Sequence, residues 1–197
     1  MSGAKLDRRE VVRALLDRRG GLLVVAGLGS SAWDCTAAGD HPLTFPLWGA
    51  MGAACAIGLG LALAQPRRRV LVVTGDGEML MGLGTLATIA AQRPANLAIV
   101  VLDNERYGET GMQKTHTAYG ADLAAVAKGC GFAEAETVRS GARISGVRSE
   151  IHRGRGPLFY QVKIGNDPVP LVLPPRDGAY LKHRFREALL GRKASSD

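Results

Sequence analysis

Short apolar runs alternate along the chain with longer segments in which apolar residues recur at helical spacing. The clearest run, Val70–Thr74, is β-branched and too apolar to face water on either side, which is typical of a strand inside a parallel sheet. We predict strands over residues 22–26, 70–74, 97–102, 135–138 and 158–164. Helices are predicted over residues 8–18, 51–65, 121–128, 142–152 and 177–190, and between Gly75–Glu78 and about Gln92.

This alternation predicts the fold class, an α/β fold with a doubly wound, mostly parallel sheet and helices on both of its faces. A chain of 197 residues is long enough to bury most of its apolar surface in one such fold. Because we identify no repeat and no interdomain linker, we expect a single domain over residues 1–197, with a basic C-terminal tail from about residue 191.

The net charge of +7 invites a nucleic-acid-binding interpretation, because basic surfaces displace counterions from phosphates. The basic residues gather in the first helix, in the turn Arg67–Arg69 and in the last helix and tail. Aromatic residues make up only 5% of the chain and do not interleave with these runs, as a base-stacking surface would require. We therefore interpret the runs as solvated faces and expect no nucleic-acid partner.

The segment Leu47–Ala64 carries no charge and approaches the length of a membrane span. Its many Ala and Gly residues favour instead a buried helix that is apolar on all sides, and we expect no membrane association. Cys35, Cys55 and Cys130 lie far apart and form no zinc or disulfide pattern. The N-terminus has no apolar signal-peptide core, so we expect a cytoplasmic protein.

Polar residues that suit a metal–phosphate site follow two neighbouring predicted strands. Gly75-Asp76-Gly77 lies between a buried strand and a helix, where glycines permit close approach of a ligand and free N–H groups attract phosphate. Asp103-Asn104 ends the next strand, and the interval between the two motifs accommodates one helix and one strand. Adjacent parallel strands would bring Asp76 and Asn104 together as oxygen ligands of a magnesium ion that shares a diphosphate.

These motifs resemble the signature of the thiamine-diphosphate-dependent 2-oxo acid decarboxylases, G-D-G followed after about 25 to 30 residues by N-N. The segment Phe45–Gly52 resembles the matching region of 2-oxo acid decarboxylases. The loop Tyr107–Gln113 resembles the β subunit of sulfopyruvate decarboxylase and the C-terminal domain of phosphonopyruvate decarboxylase. The resemblance covers about Leu22 to Phe132 and implies a thiamine-diphosphate-binding fold of the diphosphate-binding type, with thiamine diphosphate and Mg²⁺ as cofactors.

By position, the resemblance implies that Asp76, the side chain of Asn104 and the backbone carbonyl of Arg106 ligate magnesium. The positions implied to hold the thiamine cofactor are Gly29, Ser30, Gly49, Met51, Gly75, Gly77, Glu78 and Tyr107. Among these, the Gly49 carbonyl would accept a hydrogen bond from the 4′-amino group, and Met51 would keep the cofactor bent. A plain core role for Met51 remains an alternative.

Three positions depart from the family pattern. Asp103 replaces the first Asn of N-N, which is not the direct ligand, so metal binding should survive. Glu78 replaces a small residue and must turn its carboxylate away from the phosphates. For Lys114 two interpretations stay open, contact with an anionic substrate group or a solvated loop position. His116 is a candidate for proton transfer near neutral pH, against a structural or exposed histidine.

The resemblance also implies a partner. The glutamate that activates the pyrimidine ring comes from a separate domain in this family, and we find no such domain here, so we expect a heteromer with a pyrimidine-binding α-type subunit. The expected enzyme is a carboxy-lyase, inactive without that subunit, acting on a small anionic 2-oxo acid such as sulfopyruvate or phosphonopyruvate. Two alternatives stay open: the β subunit of a 2-oxo acid:ferredoxin oxidoreductase, and a non-catalytic nucleotide- or nucleic-acid-binding module.

Overall fold

A six-stranded parallel sheet forms the centre of the molecule, in a computed structural model that describes residues 5–191 and residue 194. The strands run in the order β2-β1-β3-β4-β8-β7, and β5 pairs with β6 in a separate small hairpin. The strands are β1 (Leu23–Ala26), β2 (Thr44–Pro46), β3 (Val70–Gly75), β4 (Leu97–Asp103), β5 (Arg106–Tyr107), β6 (Gln113–Lys114), β7 (Glu134–Val138) and β8 (Leu158–Lys163). The predicted parallel sheet is thus confirmed.

Eight α-helices cover the two faces of the sheet within the described residues. They are α1 (Arg8–Leu16), α2 (Ser30–Ala37), α3 (Ala54–Ala64), α4 (Asp76–Met81), α5 (Thr85–Gln92), α6 (Leu123–Cys130), α7 (Gly141–Arg153) and α8 (Gly178–Leu190). Helices α1, α2 and α7 bury their apolar residues against one face, whereas α3, α5, α6 and α8 do so against the other. All residues of β1 and β4 are buried, which explains why these strands read as unbroken apolar runs.

We predicted neither a helix nor a strand between residues 26 and 51, but the structure has one of each there. They are helix α2 and the edge strand β2, which pairs with β1 through Val24↔Thr44. The helix predicted after Gly75–Glu78 is in fact two helices, α4 and α5. They are separated at Gly82, where a Cβ atom would lie 2.0 Å from the carbonyl oxygen of Gly52, so the chain turns there to fit the neighbouring loop.

Helix α3 is buried on one side only, which corrects the prediction of a helix buried all round. Ala54, Gly58 and Ala62 pack against the sheet, and Gly58 has no room for a side chain because Val72 lies against it. Leu63, on the other side, is 49% exposed. None of the helices in the described part of the chain combines the length and apolarity needed to cross a membrane.

Two further predictions concern the cysteines and the tail. Cys35 and Cys55 are free and buried, and Cys130 is free and half-buried. The predicted basic tail from about residue 191 lies largely outside the described residues, which omit residues 1–4, 192–193 and 195–197.

Candidate active site

Strands β3 and β4 bring the two polar motifs to the same edge of the sheet. Gly75 is aligned with Leu102 in the parallel register, so Asp76 and Asp103 follow at corresponding positions and Asn104 is one residue further on. Asp76, Asn104 and Arg106 all line one cleft of about 470 Å³ at this edge. The structure therefore brings together the three residues predicted to ligate the metal.

Asp76 is almost completely buried beneath this cleft, with 1% of its surface exposed. Its Oδ2 accepts hydrogen bonds from the hydroxyls of Thr115, at 2.5 Å, and Thr117, at 3.2 Å. Burial, together with the nearby charge of Asp103, raises the pKa of Asp76 to about 6 in spite of the lowering effect of the two threonines. Among the described side chains none donates to Oδ1, which leaves that oxygen for a ligand.

Asp103 is fully buried and serves as a structural anion next to Asp76. Its Oδ2 lies 2.7 Å from Nζ of Lys163 and accepts a hydrogen bond from Gln161 at 2.5 Å. Its Oδ1 accepts from Thr117 at 2.8 Å and from the backbone N–H of Glu105 at 3.0 Å. The ammonium group of Lys163 balances the negative charge of Asp103, and Gln161 satisfies its carboxylate by a hydrogen bond. These two residues therefore accommodate an aspartate where the family pattern N-N has an asparagine.

Asn104 and Arg106 shape the turn that follows β4. The side-chain Oδ1 of Asn104 accepts from the backbone N–H of Arg106 at 3.0 Å, an Asx-turn that still leaves one lone pair of this oxygen available. The amide of Asn166 donates to the backbone carbonyl of Asn104 at 3.2 Å and ties the loop after β8 to the same turn. Glu105, which lies between Asn104 and Arg106, adopts a positive φ of 64° within this turn.

The glycines of the G-D-G motif differ in what surrounds them. A Cβ on Gly77 would lie 2.7 Å from Cδ1 of Tyr107, so the tyrosine ring packs directly on the start of α4. Nothing lies within 4 Å of a Cβ built on Gly75, which faces open space. Gly75, Gly77 and Tyr107 all line the cleft, as the prediction of a cofactor role requires.

Ser30, at the start of α2, belongs to a second wall of the cleft, whereas the neighbouring Gly29 does not line it. Gly29 has a φ of 74°, and a Cβ there would lie 2.3 Å from Oε1 of Glu109, so only glycine fits beside that side chain. Ser30 lines the cleft, as does Glu109 itself. The turn after β1 and the loop after β5 therefore approach each other across the cleft.

Glu78 turns its carboxylate toward the body of the protein. Its Oε2 accepts from the hydroxyl of Thr74 at 2.7 Å and occupies the space in which a side chain on Gly27 would lie. Burial raises the pKa of Glu78, although Thr74 and the backbone amides of Gly52, Leu28 and Ala54 partly offset this effect. The side chain is 8% exposed, and Gly27 makes room for it.

The remaining predicted positions fall in different places. Met51 lines the cleft and is 49% exposed, so its side chain does not fill a gap in the hydrophobic core of the described chain. Gly49 is exposed and does not line the cleft. His116 is exposed and also lies outside the cleft lining, and Lys114 is exposed with its Nζ 5.6 Å from the ring centre of Tyr119.

The sequence prediction missed several residues that this site contains. Thr115 and Thr117 hold Asp76, and Arg8, from the start of α1, lines the cleft with its Nε 3.4 Å from the buried Asp34. Thr115 and Thr117 follow the small hairpin, and Thr117 lies in the short 3₁₀ helix His116–Tyr119, so no strand or helix periodicity marks them in the sequence. The position of Arg8 depends on how α1 packs and left no local signal.

The fold and the cleft agree with comparisons to known proteins. Residues 29–162 match the thiamine pyrophosphate enzyme, C-terminal TPP binding domain. The chain belongs to that family. It is 40% identical to sulfopyruvate decarboxylase subunit beta of Methanothermobacter thermautotrophicus over 85% of this chain and 88% of that one. It is also 46% identical to phosphonopyruvate decarboxylase of Streptomyces viridochromogenes over 55% of this chain and 27% of the relative.

A solved structure shows the same fold. Benzoylformate decarboxylase from Polynucleobacter necessarius matches with a TM-score of 0.68 at 21% identity, over 84% of this chain and 34% of that one. The chain thus carries the TPP-binding domain of a thiamine-pyrophosphate-dependent decarboxylase family, and the predicted family, fold class and enzyme class are confirmed. In the described residues no three His, Cys, Asp or Glu side chains converge as a metal site, so a metal in the cleft would depend on amide and carbonyl oxygens besides Asp76.

Proposed function

We propose that this chain is the thiamine-diphosphate- and Mg²⁺-binding β-type subunit of a heteromeric decarboxylase acting on a small anionic 2-oxo acid, sulfopyruvate or phosphonopyruvate. One observation carries the proposal: the register of β3 and β4 delivers the Asp76 carboxylate and the Asn104 amide to a single cleft. One carboxylate with amide and carbonyl oxygens suits magnesium, which uses few protein ligands and shares the oxygens of a bound phosphate.

The residues of the cleft fit the cofactor in charge and in shape. Oδ1 of Asp76, Oδ1 of Asn104 and the carbonyl of Arg106 would bind the metal. The start of α4 at Gly77 and Glu78 and the turn at Gly29–Ser30 would hold the diphosphate through backbone N–H groups. When bound, thiamine diphosphate supplies the electron sink for loss of carbon dioxide, while the protein orients it and excludes water.

The open wall of the cleft supports a requirement for a partner. Met51 and Met81 line the cleft but are 49% and 54% exposed. Leu63, near the C-terminal end of α3 and outside the cleft lining, is also 49% exposed. Apolar side chains at the rim of a cleft are typical of a surface that another protein covers. The relative in Methanothermobacter thermautotrophicus is itself named as a subunit, which agrees with this interpretation.

Arg8 gives the cleft a cation that suits an anionic substrate or the diphosphate. Its guanidinium lines the cleft near Ser30 and is held by the buried carboxylate of Asp34, which fixes its direction. Burial raises the pKa of Asp34, whereas the charges of Arg8 and Arg9 lower it. An arginine positioned in this way favours ligands with several charged oxygens.

The proposal is tested by coexpressing the chain with a pyrimidine-binding subunit of the same enzyme type and measuring carbon dioxide release from sulfopyruvate and phosphonopyruvate. We expect turnover that requires both chains, thiamine diphosphate and Mg²⁺, and that is lost in Asp76→Ala. Asp177→Ala, which removes a carboxylate from the N-cap of α8 away from the cleft, is the matched control and should retain turnover. Thiamine-independent turnover, or none with any 2-oxo acid, contradicts the proposal.

A further inference from the structure

A second, strongly basic pocket lies at the opposite edge of the sheet from the cleft. It has a volume of about 400 Å³ and lies where β1 and β3 begin. Its lining consists of Arg18, Arg19, Gly20, Gly21, Leu22, Arg67, Arg68, Arg69 and His152, and none of these is acidic. The six residues of β3 separate it from the G-D-G motif by roughly 20 Å. Neither the family nor the proposed activity gives this pocket a role.

The buried guanidinium of Arg19 has no carboxylate partner among the described residues. Its Nη1 donates to Thr44 Oγ1 at 2.6 Å, and its Nη2 donates to the backbone carbonyls of Leu22 at 2.8 Å and Leu43 at 3.1 Å, all of them neutral acceptors. Its Nε is buried and has no hydrogen-bond partner among the described residues, although the residue is only 9% exposed. A buried charge without a counter-ion is costly, and a bound anion would relieve that cost.

Arg67, Arg68 and Arg69 add positive charge around Arg19 without neutralising it, whereas Nε of Arg18 lies 3.9 Å from Oδ2 of Asp17. Arg68 donates to the carbonyl of Gly21 at 2.9 Å, and Arg69 donates only to backbone carbonyls, including that of Gly154 at 2.6 Å. Arg67 is exposed and makes no hydrogen bond or ion pair with the described residues. Nε2 of His152 is buried and equally without a partner in the described part of the chain.

A purely structural role explains only part of this arrangement. The contacts of Arg69 with the carbonyls of Glu150 and Ile151 cap the end of α7, which is a common use of arginine. Capping does not account for the unpaired Nε of Arg19, for the unpaired Nε2 of His152 or for the free guanidinium of Arg67. All three belong to the lining of the same pocket.

We propose that this pocket, the arginine pocket, binds a small multivalent oxyanion of the phosphate type. Planar guanidinium groups donate in pairs to phosphate oxygens, and several of them around one volume favour an anion with more than one charge. The volume suits a pyrophosphate-sized group. A phosphorylated metabolite and inorganic pyrophosphate share this chemistry, and both would be recognised through the same oxygens.

The test is calorimetric titration of sodium pyrophosphate into the full chain at fixed ionic strength, with EDTA present so that metal-dependent binding at the G-D-G cleft does not contribute. Wild-type protein should bind one pyrophosphate. Arg67→Gln, which removes an exposed guanidinium without structural contacts, should weaken binding by about tenfold, and Arg67→Gln/Arg68→Gln by more. Lys128→Gln/Arg139→Gln removes two exposed charges outside the pocket and should bind as wild type does.

Circular dichroism and thermal unfolding establish that each variant is folded. Equal affinity in wild type and Arg67→Gln/Arg68→Gln, or no binding by wild type, overturns the proposal. A short DNA duplex that binds more tightly than pyrophosphate and depends on the same arginines also overturns it, in favour of a nucleic-acid surface. Repeating the titration with a sugar phosphate separates the two small-anion sources: tighter binding than pyrophosphate identifies a metabolite site, and weaker binding a site for the inorganic ion. None of these measurements depends on decarboxylation.

Discussion

Asp76 and Asp103 place two buried carboxylates at the ends of adjacent strands, joined through the hydroxyl of Thr117. A carboxylate must lose its proton to bind magnesium, and the pKa of Asp76 is raised to about 6 in the chain without metal. We therefore expect Mg²⁺ affinity, measured by calorimetry with thiamine diphosphate present, to fall as the pH drops through about 6. Because the pKa of Asp76 is raised, protons compete with Mg²⁺ for its carboxylate at a higher pH than they would at an ordinary aspartate.

Asp103→Asn tests the origin of this pH dependence. Removing the neighbouring negative charge lowers the pKa of Asp76, so the loss of Mg²⁺ affinity should move to lower pH. Asp177→Asn removes a carboxylate at the N-cap of α8 and should leave the profile unchanged. An unshifted profile in Asp103→Asn would mean that burial alone sets the pKa of Asp76.

Gly77→Ala should damage the cofactor cradle without unfolding the chain. The added methyl group would lie 2.7 Å from the ring of Tyr107 and must displace it from the start of α4. We expect thiamine diphosphate affinity to fall by at least about tenfold, since a displacement of this kind costs on the order of 1–3 kcal/mol. Gly84→Ala, where nothing lies within 4 Å of the new atom and which does not line the cleft, is the control; equal losses in both variants would refute the role of Tyr107.

The sequence allowed the site residues at the strand ends to be predicted, but not those in the long loop. Asp76 and Asn104 could be predicted because the register of adjacent parallel strands follows from the strands themselves. Thr115 could not, because a loop of about fifteen residues has no periodicity that fixes which side chains return to the strand ends. His116 directly precedes Thr117 in the chain, yet its side chain is exposed and lies outside the lining of the cleft.

At the scale of whole elements, Gln161 in β8 links a helix to the active-site edge. Its Oε1 accepts from the first-turn amides of Leu123 and Ala124 in α6, and its Nε2 donates to Asp103. Gln161→Leu leaves these buried groups unpaired and should lower the free energy of unfolding by about 2–4 kcal/mol, measured by urea denaturation. Gln113→Leu, in the exposed strand β6, should change it little; a similar loss there would contradict this account.

The elements themselves divide into those with a clear sequence pattern and those without. Strands β3 and β4 were predicted almost to the residue because buried parallel strands are continuous apolar runs. Helix α2 was missed because Ser-Ser-Ala-Trp-Asp-Cys-Thr-Ala has only a weak apolar face and lacks a side-chain cap. Strand β2, three residues at a sheet edge, contains a proline and carries almost no pattern at all.

At the scale of the whole molecule, the exposed apolar residues of the cleft and of helix α3 bear on assembly. If the proposed partner covers this surface, Leu63→Glu should prevent the two subunits from coeluting in size-exclusion chromatography while the isolated chain keeps its unfolding temperature. Leu171→Glu, at a residue that is 59% exposed and does not line the cleft, should leave coelution intact. Coelution of Leu63→Glu with its partner would exclude α3 from the interface.

The order of the strands has a further consequence for how the cofactor site behaves. Strands β3 and β4 occupy the middle of the sheet, with β2 and β7 at its edges. Backbone amides in central strands exchange their hydrogens only during rare, near-global openings, whereas edge strands fray often and at little cost. The loops proposed to bind the cofactor therefore follow the two strands whose amides should exchange most slowly. Local fraying of the edge strands leaves these loops in place, so that they remain ready to bind the cofactor.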